Sequence, residues 1–149
     1  EGESADELAE IAQHEPGLHL TVLPFQPAAE LPNVLGSADA LVALLEPDAT
    51  RFSIPSKVLS YMAAGRPIIG LMPHDNPAAA DIAVTGGLVV DPDSNGVAEA
   101  AKWVETLAGD PDRVRTIGID TRRVAEEKFD ADKVAAEFES ILSSMAQRA

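Results

Sequence analysis

Ser56, Lys57 and Ser60 recur at three- and four-residue spacing, so on a helix two hydroxyls and an ammonium share one face. Pro55 stands directly ahead of them, and proline suits a helix entrance because its missing N–H costs nothing there. A helix start carries unpaired N–H groups and a partial positive charge. A lysine and hydroxyls added at that point make an anion site suited to a phosphate or diphosphate. The same residues also fit a plainer reading, a capped helix with a solvated lysine, in which Ser53 or Ser56 is the cap. Arg51 and Arg66 lie in or beside the same stretch and add positive charge to it.

The surrounding pattern predicts how these groups are held. Val58, Leu59, Met62 and Ala63 repeat as a core-facing helical stripe. Gly65 is placed to end the helix as its C′ residue, and Pro67 prevents continuation. The apolar run 68–72 then suits a strand covered on both faces.

Taken from its start, the chain predicts a helix opened by a capping box, Ser4 with Glu7, and carrying Leu8, Ile11 and Ala12 as its stripe. A strand is expected over 18–23, a stiff loop over 24–27, and a short helix with Leu31, Val34 and Leu35 inward. A fully apolar strand follows over 40–45 and a polar loop over 46–52. Beyond residue 72, Asn76-Pro77 and Asp110-Pro111 each read as an N-cap followed by proline at the first helical position. Between them lie a short strand at 88–90, a turn at 91–95 and a helix marked by Val97, Ala101, Val104 and Leu107. Val114, Ile117 and Val124 mark the next helix, weakened at Gly118 by roughly 1 kcal/mol relative to alanine. Asp130 caps a last helix with Val134, Phe138, Ile141, Leu142 and Met145 at helical spacing. Strands alternating with helices imply an α/β fold with a parallel sheet and helices on both faces. Ligands in such folds bind beyond the carboxyl ends of the strands. The loops 24–27 and 46–57 follow successive expected strands, so they are expected to open on one crevice.

Composition narrows the function classes. A chain of 149 residues with 46% hydrophobic content has enough apolar material for one folded domain. There is no cysteine, which excludes disulfides and thiolate metal sites, and the three histidines lack ligand spacing. A net charge of −14 opposes nucleic acid and anionic lipid surfaces alike. An anionic ligand therefore needs a local positive pocket, which directs attention back to Arg51, Lys57 and Arg66. No apolar run is long enough to span a membrane.

Several segments in order resemble a known family. They are Gly2-Glu3 before a helix, Leu23-Pro24-Phe25-Gln26-Pro27, Leu31-Pro32 with Ser37-Ala38-Asp39-Ala40, Ser53-Ile54-Pro55-Ser56-Lys57, and Ala63-Ala64-Gly65-Arg66-Pro67-Ile68-Ile69. Phe129-Asp130 with Lys133-Val134 completes the set. Together they are similar to the C-terminal, Rossmann-like half of a GT-B glycosyltransferase, closest to the GT4 type of cell-envelope and exopolysaccharide synthesis. The resemblance implies one donor-binding domain over 1–149, lacking the family's first βαβ unit. In the family's strand order, 3-2-1-4-5-6, two absent strands would lie between those expected at 18–23 and 40–45. It implies that Ser56 and Lys57, with the 54–57 turn (Ile54, Pro55) and Arg51, hold the donor diphosphate, Lys57 stabilising the leaving group. Phe25 and Gln26 would lie along the base and ribose, with Ser60 hydrogen-bonding a ribose hydroxyl. Phe52 and Ser60 occupy positions where many relatives carry glutamates. The donor would be a nucleoside-diphosphate sugar, UDP-linked, used without metal or cofactor. The acceptor would be a hydroxyl on a lipid-linked glycan, held by an absent N-terminal domain. The family setting is cytoplasmic, peripheral to the inner face of the plasma membrane through that domain, and this chain alone is expected not to turn over.

Two other classes compete. The missing glutamates and strong acidity fit a binding or structural module with catalysis lost, against which the grouping of Arg51, Ser56 and Lys57 argues. A nucleotide-sugar epimerase shares the scaffold but relies on acids and histidines around the sugar, and no such set is visible. Acidic residues on the later helices read as solvated faces.

Overall fold

The computed structural model describes residues 3–45 and 55–146. They divide into two compact units, one ending at Val34 and the other beginning at Leu35.

The first unit opens with α1 (Glu3–His14), followed by short 3-10 turns at Pro16–Leu18 and Ala28–Glu30. Helix α1 includes Ser4 rather than starting after it, so the capping box is displaced from the helix entrance. Leu8 and Ile11 stay exposed on α1. The strand expected over 18–23 does not form, and Leu18, Leu20, Val22 and Leu23 are exposed. Alternating apolar residues favour extended backbone, but a strand needs neighbours to pair its N–H and C=O groups. No described strand lies in this unit, and backbone hydrogen bonds around Leu18 and His19 close a local turn instead. A short helix, α2 (Leu31–Gly36), spans the division between the units; Leu31 is exposed on it, whereas Val34 and Leu35 are partly buried.

The second unit is α/β and Rossmann-like. Strands β1 (Leu41–Leu44), β2 (Ile68–Leu71) and β3 (Leu88–Val90) form a parallel sheet in the order β1-β2-β3. Each is an apolar run, as expected for strands with helices on both faces. The register sets Val42 beside Ile69 and Ala43 beside Gly70, so alternate residues feed two different layers. Helices α3 (Ser56–Ala63) and α4 (Pro77–Val84) cover one face, where Val58, Met62, Ile68, Met72 and Ile82 are buried. Full burial of each such side chain stabilises the fold by about 1.5–3 kcal/mol. Helix α5 (Ser94–Ala108) covers part of the other face, with Ala100 and Trp103 against Ile69, Leu71 and Val90.

Helix α6 (Pro111–Lys128) lies along the N-terminal end of the sheet, because it touches the turns that precede β2 and β3. A Cβ on Gly86 would meet Ile117 at 3.5 Å, and a Cβ on Gly65 would meet the Gly118 carbonyl at 3.3 Å. Its far end supplies Val124 and Ala125 to the α3 layer. The Asp110 and Asp93 carboxylates cap α6 and α5, accepting from Arg113 N at 3.0 Å and Gly96 N at 2.8 Å. The cap at Asp93 starts α5 at Ser94, inside the stretch expected to be a turn. On α5 the stripe also rotates, burying Gly96, Ala100 and Leu107 and leaving Val97 and Val104 exposed.

Helix α7 (Ala131–Ala146) follows, with Lys133 N donating to Asp130 Oδ1 at 2.9 Å as the cap reading expects. Its apolar stripe, Val134, Phe138, Ile141, Leu142 and Met145, is exposed among the described residues.

Candidate functional site

Parallel strands send all their following loops to one edge. The segments after β1, β2 and β3 lead there into α3, α4 and α5, so three helix N-termini share that edge. They differ in how the first-turn N–H groups are satisfied. Asn76 Oδ1 accepts from Ala78 N at 2.9 Å at the start of α4, with Pro77 in the first turn as expected. Asp93 does the same for α5, with Asp91 close by. Helix α3 has Pro55 as its N-cap residue, no capping side chain and no acid in its first turn.

Pro55 takes the cap position that was expected of Ser53 or Ser56, and Ser56 is the first residue of α3. Proline in the cap position has no side-chain acceptor, so the N–H groups of Ser56 and Lys57 have no partner among the described residues. Val58 N donates to the Pro55 carbonyl at 2.9 Å, which tightens the first turn. Ser56 and Lys57 are exposed, and neither makes a side-chain hydrogen bond among the described residues. Ammonium, hydroxyl and free amides thus lie together at an electropositive helix end.

The opposite end of α3 is neutralised. Gly65 takes a left-handed conformation with φ 64° as the C′ residue, and its N–H bonds the Met62 carbonyl at 3.0 Å. Arg122 on α6 donates to the Ala63 carbonyl, setting a cation at the negative end of the helix. Val58 and Met62 anchor the buried side of α3. Leu59 and Ala63, expected in the same stripe, are exposed and face a depression toward α6 instead, because the buried sector is narrower than the apolar one.

Ser60 lies one turn beyond Ser56 and borders that depression, about 430 Å³, with Arg122 and Glu126 also in its walls. Ile54, Arg51 and Phe52 lie outside the described residues. Phe25 and Gln26 belong to the first unit, where Phe25 is 78% exposed and Gln26 Nε2 donates to the Pro24 carbonyl at 2.8 Å. Among the described residues no three acidic or histidine side chains are placed to hold a metal, and no helix is long and apolar enough to cross a membrane.

The sequence reading overlooked the segment after β2, residues 72–76, which reaches the same edge with His74 and Asp75 exposed. Its position follows from the strand alternation alone. Asp81 on α4 is tied to Lys128 of α6 by an ion pair.

The family model for glycosyl transferases group 1 matches residues 1–108. No curated protein and no solved structure matches the chain.

Proposed function

The chain belongs to the group 1 glycosyltransferases, and we propose that it is a donor-binding domain whose α3 N-terminus grips the diphosphate of a nucleoside-diphosphate sugar. The supporting observation is the contrast between the three helix starts at one sheet edge. Only α3, among the described residues, starts there without a capping side chain and with a lysine and a serine that make no side-chain hydrogen bond.

The chemistry follows from charge. Breaking the bond between the anomeric carbon and the diphosphate leaves negative charge on the departing phosphate oxygens. Groups already oriented toward that position stabilise it without reorganising. Lys57 supplies a full positive charge, Ser56 a hydroxyl donor, and the first turn of α3 its N–H groups. Arg51, Ile54 and Pro55 extend this grip in our reading, while Phe25, Gln26 and Ser60 serve the base and ribose. With cations and amides doing this work, the reaction needs no metal. UDP is the favoured carrier, by resemblance to the GT4 type of envelope polysaccharide synthesis, and a hydroxyl of a lipid-linked glycan held by a separate domain is the favoured acceptor.

Calorimetry of UDP with the protein and its Lys57→Ala variant tests the assignment. Loss of a charge-assisted contact is expected to weaken binding about tenfold or more. Unchanged affinity removes Lys57 from the diphosphate site.

A second reading, a binding module without catalysis, is favoured by Phe52 and Ser60 standing where the resemblance places acids. Binding of UDP-sugar without transfer or slow hydrolysis, in the presence of an acceptor-binding domain, would support it.

A further inference from the structure

We propose that Glu126 on α6 supplies the carboxylate that binds the ribose hydroxyls of the donor, a task for which α3 itself carries only Ser60. The inference rests on the diphosphate reading of α3 and extends it to the nucleoside.

The packing of α6 on α3 brings the two residues together. Gly118 lies against Gly65 at the C-terminal end of α3, and Arg122 donates to the Ala63 carbonyl. Further along α6, Glu126 and then Phe129 share one depression with Leu59 and Ser60. The residues of α6 therefore advance toward the N-terminal half of α3, where the diphosphate would sit. Ser60 follows Ser56 by one turn, about 6 Å of helix rise. That step is comparable to the one from a diphosphate to the ribose it carries. The depression encloses about 430 Å³, room for a sugar ring, and Leu59, Ala63 and Ala125 give it an apolar lining.

The carboxylate is held in place and half free. Arg122 Nε donates to Glu126 Oε1 at 2.7 Å while the same guanidinium grips the Ala63 carbonyl. The arginine thus fixes Glu126 beside α3 and offsets its charge, which a neighbouring diphosphate would otherwise oppose. Glu126 Oε2 has no partner among the described residues. An ionised carboxylate only accepts, and the two adjacent ribose hydroxyls both donate, so the match is charge-assisted. The Ser60 hydroxyl, exposed and without a side-chain hydrogen bond among the described residues, adds a second contact. Asp130 borders the same depression, but its Oδ1 accepts from Lys133 N at 2.9 Å as the cap of α7. On sequence alone Glu126 reads as part of a solvated face; only the packing of α6 on α3 puts it beside Ser60.

Calorimetry with UDP and 2′-deoxy-UDP tests the assignment. The transferred sugar also carries adjacent hydroxyls, but UDP has only those of its ribose, so these probes single out the ribose. The protein is expected to prefer UDP by about fivefold or more, and Glu126→Ala should bring the two affinities within about twofold by weakening UDP alone. Glu126→Gln, which keeps the shape and loses the charge, should fall between them. The Glu126 side chain is 59% exposed, and an unchanged thermal melt confirms that the variants fold. Equal binding of both nucleotides by the unaltered protein overturns the proposal. So does an equal loss of both in Glu126→Ala, which marks a merely structural role. Lys57→Ala separates the two readings. If it weakens both nucleotides alike while Glu126→Ala keeps the preference for UDP, the ribose assignment alone falls. If it leaves both unchanged, the diphosphate reading falls and this inference with it.

Discussion

Gly118 and Gly65 meet where α6 passes the end of α3: a Cβ on Gly118 would stand 2.5 Å from the Gly65 carbonyl oxygen. Read from sequence, Gly118 is only a weak point in a helix. In the fold it lets α6 approach the αL turn that ends α3 and starts β2. Gly118→Ala gains helix propensity of about 1 kcal/mol but must push the helices apart, at about 1–3 kcal/mol for overpacking. A net loss of stability is expected in urea unfolding. Gly109→Ala serves as the control, since its nearest neighbour is 4.0 Å away and no positive φ is required; it should be neutral or stabilising by up to about 1 kcal/mol. Stabilisation by Gly118→Ala would contradict the close approach.

The uncapped start of α3 sets stability against binding. Ser56→Asp places a carboxylate at the positive end of the helix, worth about 0.3–1 kcal/mol of stability. The same charge opposes a diphosphate. A higher melting temperature together with UDP affinity lowered about tenfold or more is the expected pair of results. Affinity that is unchanged, or that rises with stability, contradicts an anion site at this helix end.

Two helices with similar apolar stripes should respond differently to truncation. Met62 on α3 is fully buried, whereas Phe138 on α7 is 63% exposed. Met62→Ala should cost about 2–5 kcal/mol, and Phe138→Ala should stay within about 0.5 kcal/mol in the isolated chain. Denaturant unfolding of both variants decides it; a large loss at Phe138 would mean that α7 is packed.

Lys128 and Asp81 join α6 to α4, but the lysine is 52% exposed. A screened pair of this kind contributes up to about 1 kcal/mol. Asp81→Asn should cost no more than that, and the loss should shrink as salt rises. A salt-independent loss of several kcal/mol would show that the pair is desolvated.

The sequence carried the parallel α/β alternation clearly, because β1, β2 and β3 are short apolar runs between helix signals. Caps at Asn76, Asp110 and Asp130 and the C′ role of Gly65 were also legible, since each depends on local chemistry. What failed depended on neighbours. Residues 18–23 have the alternation of a strand but no partner in their unit to pair with. Leu59, Val97 and Val104 have helical spacing, yet which sector of a helix is buried is set by how α6 and the sheet approach it. At the site, Ser56 and Lys57 were located correctly at a helix start, but the cap was not: Pro55 takes that position and leaves the amides free. The contrast with α4 and α5 could not be read without the sheet, because it exists only when three helix starts share one edge.

The account rests on those amides, and titrating UDP into isotopically labelled protein while following backbone N–H resonances tests it most directly. The largest shifts are expected at Ser56 and Lys57, with little change at Gly96, whose N–H already donates to Asp93. Unmoved resonances at α3, or shifts concentrated at α5, would contradict it.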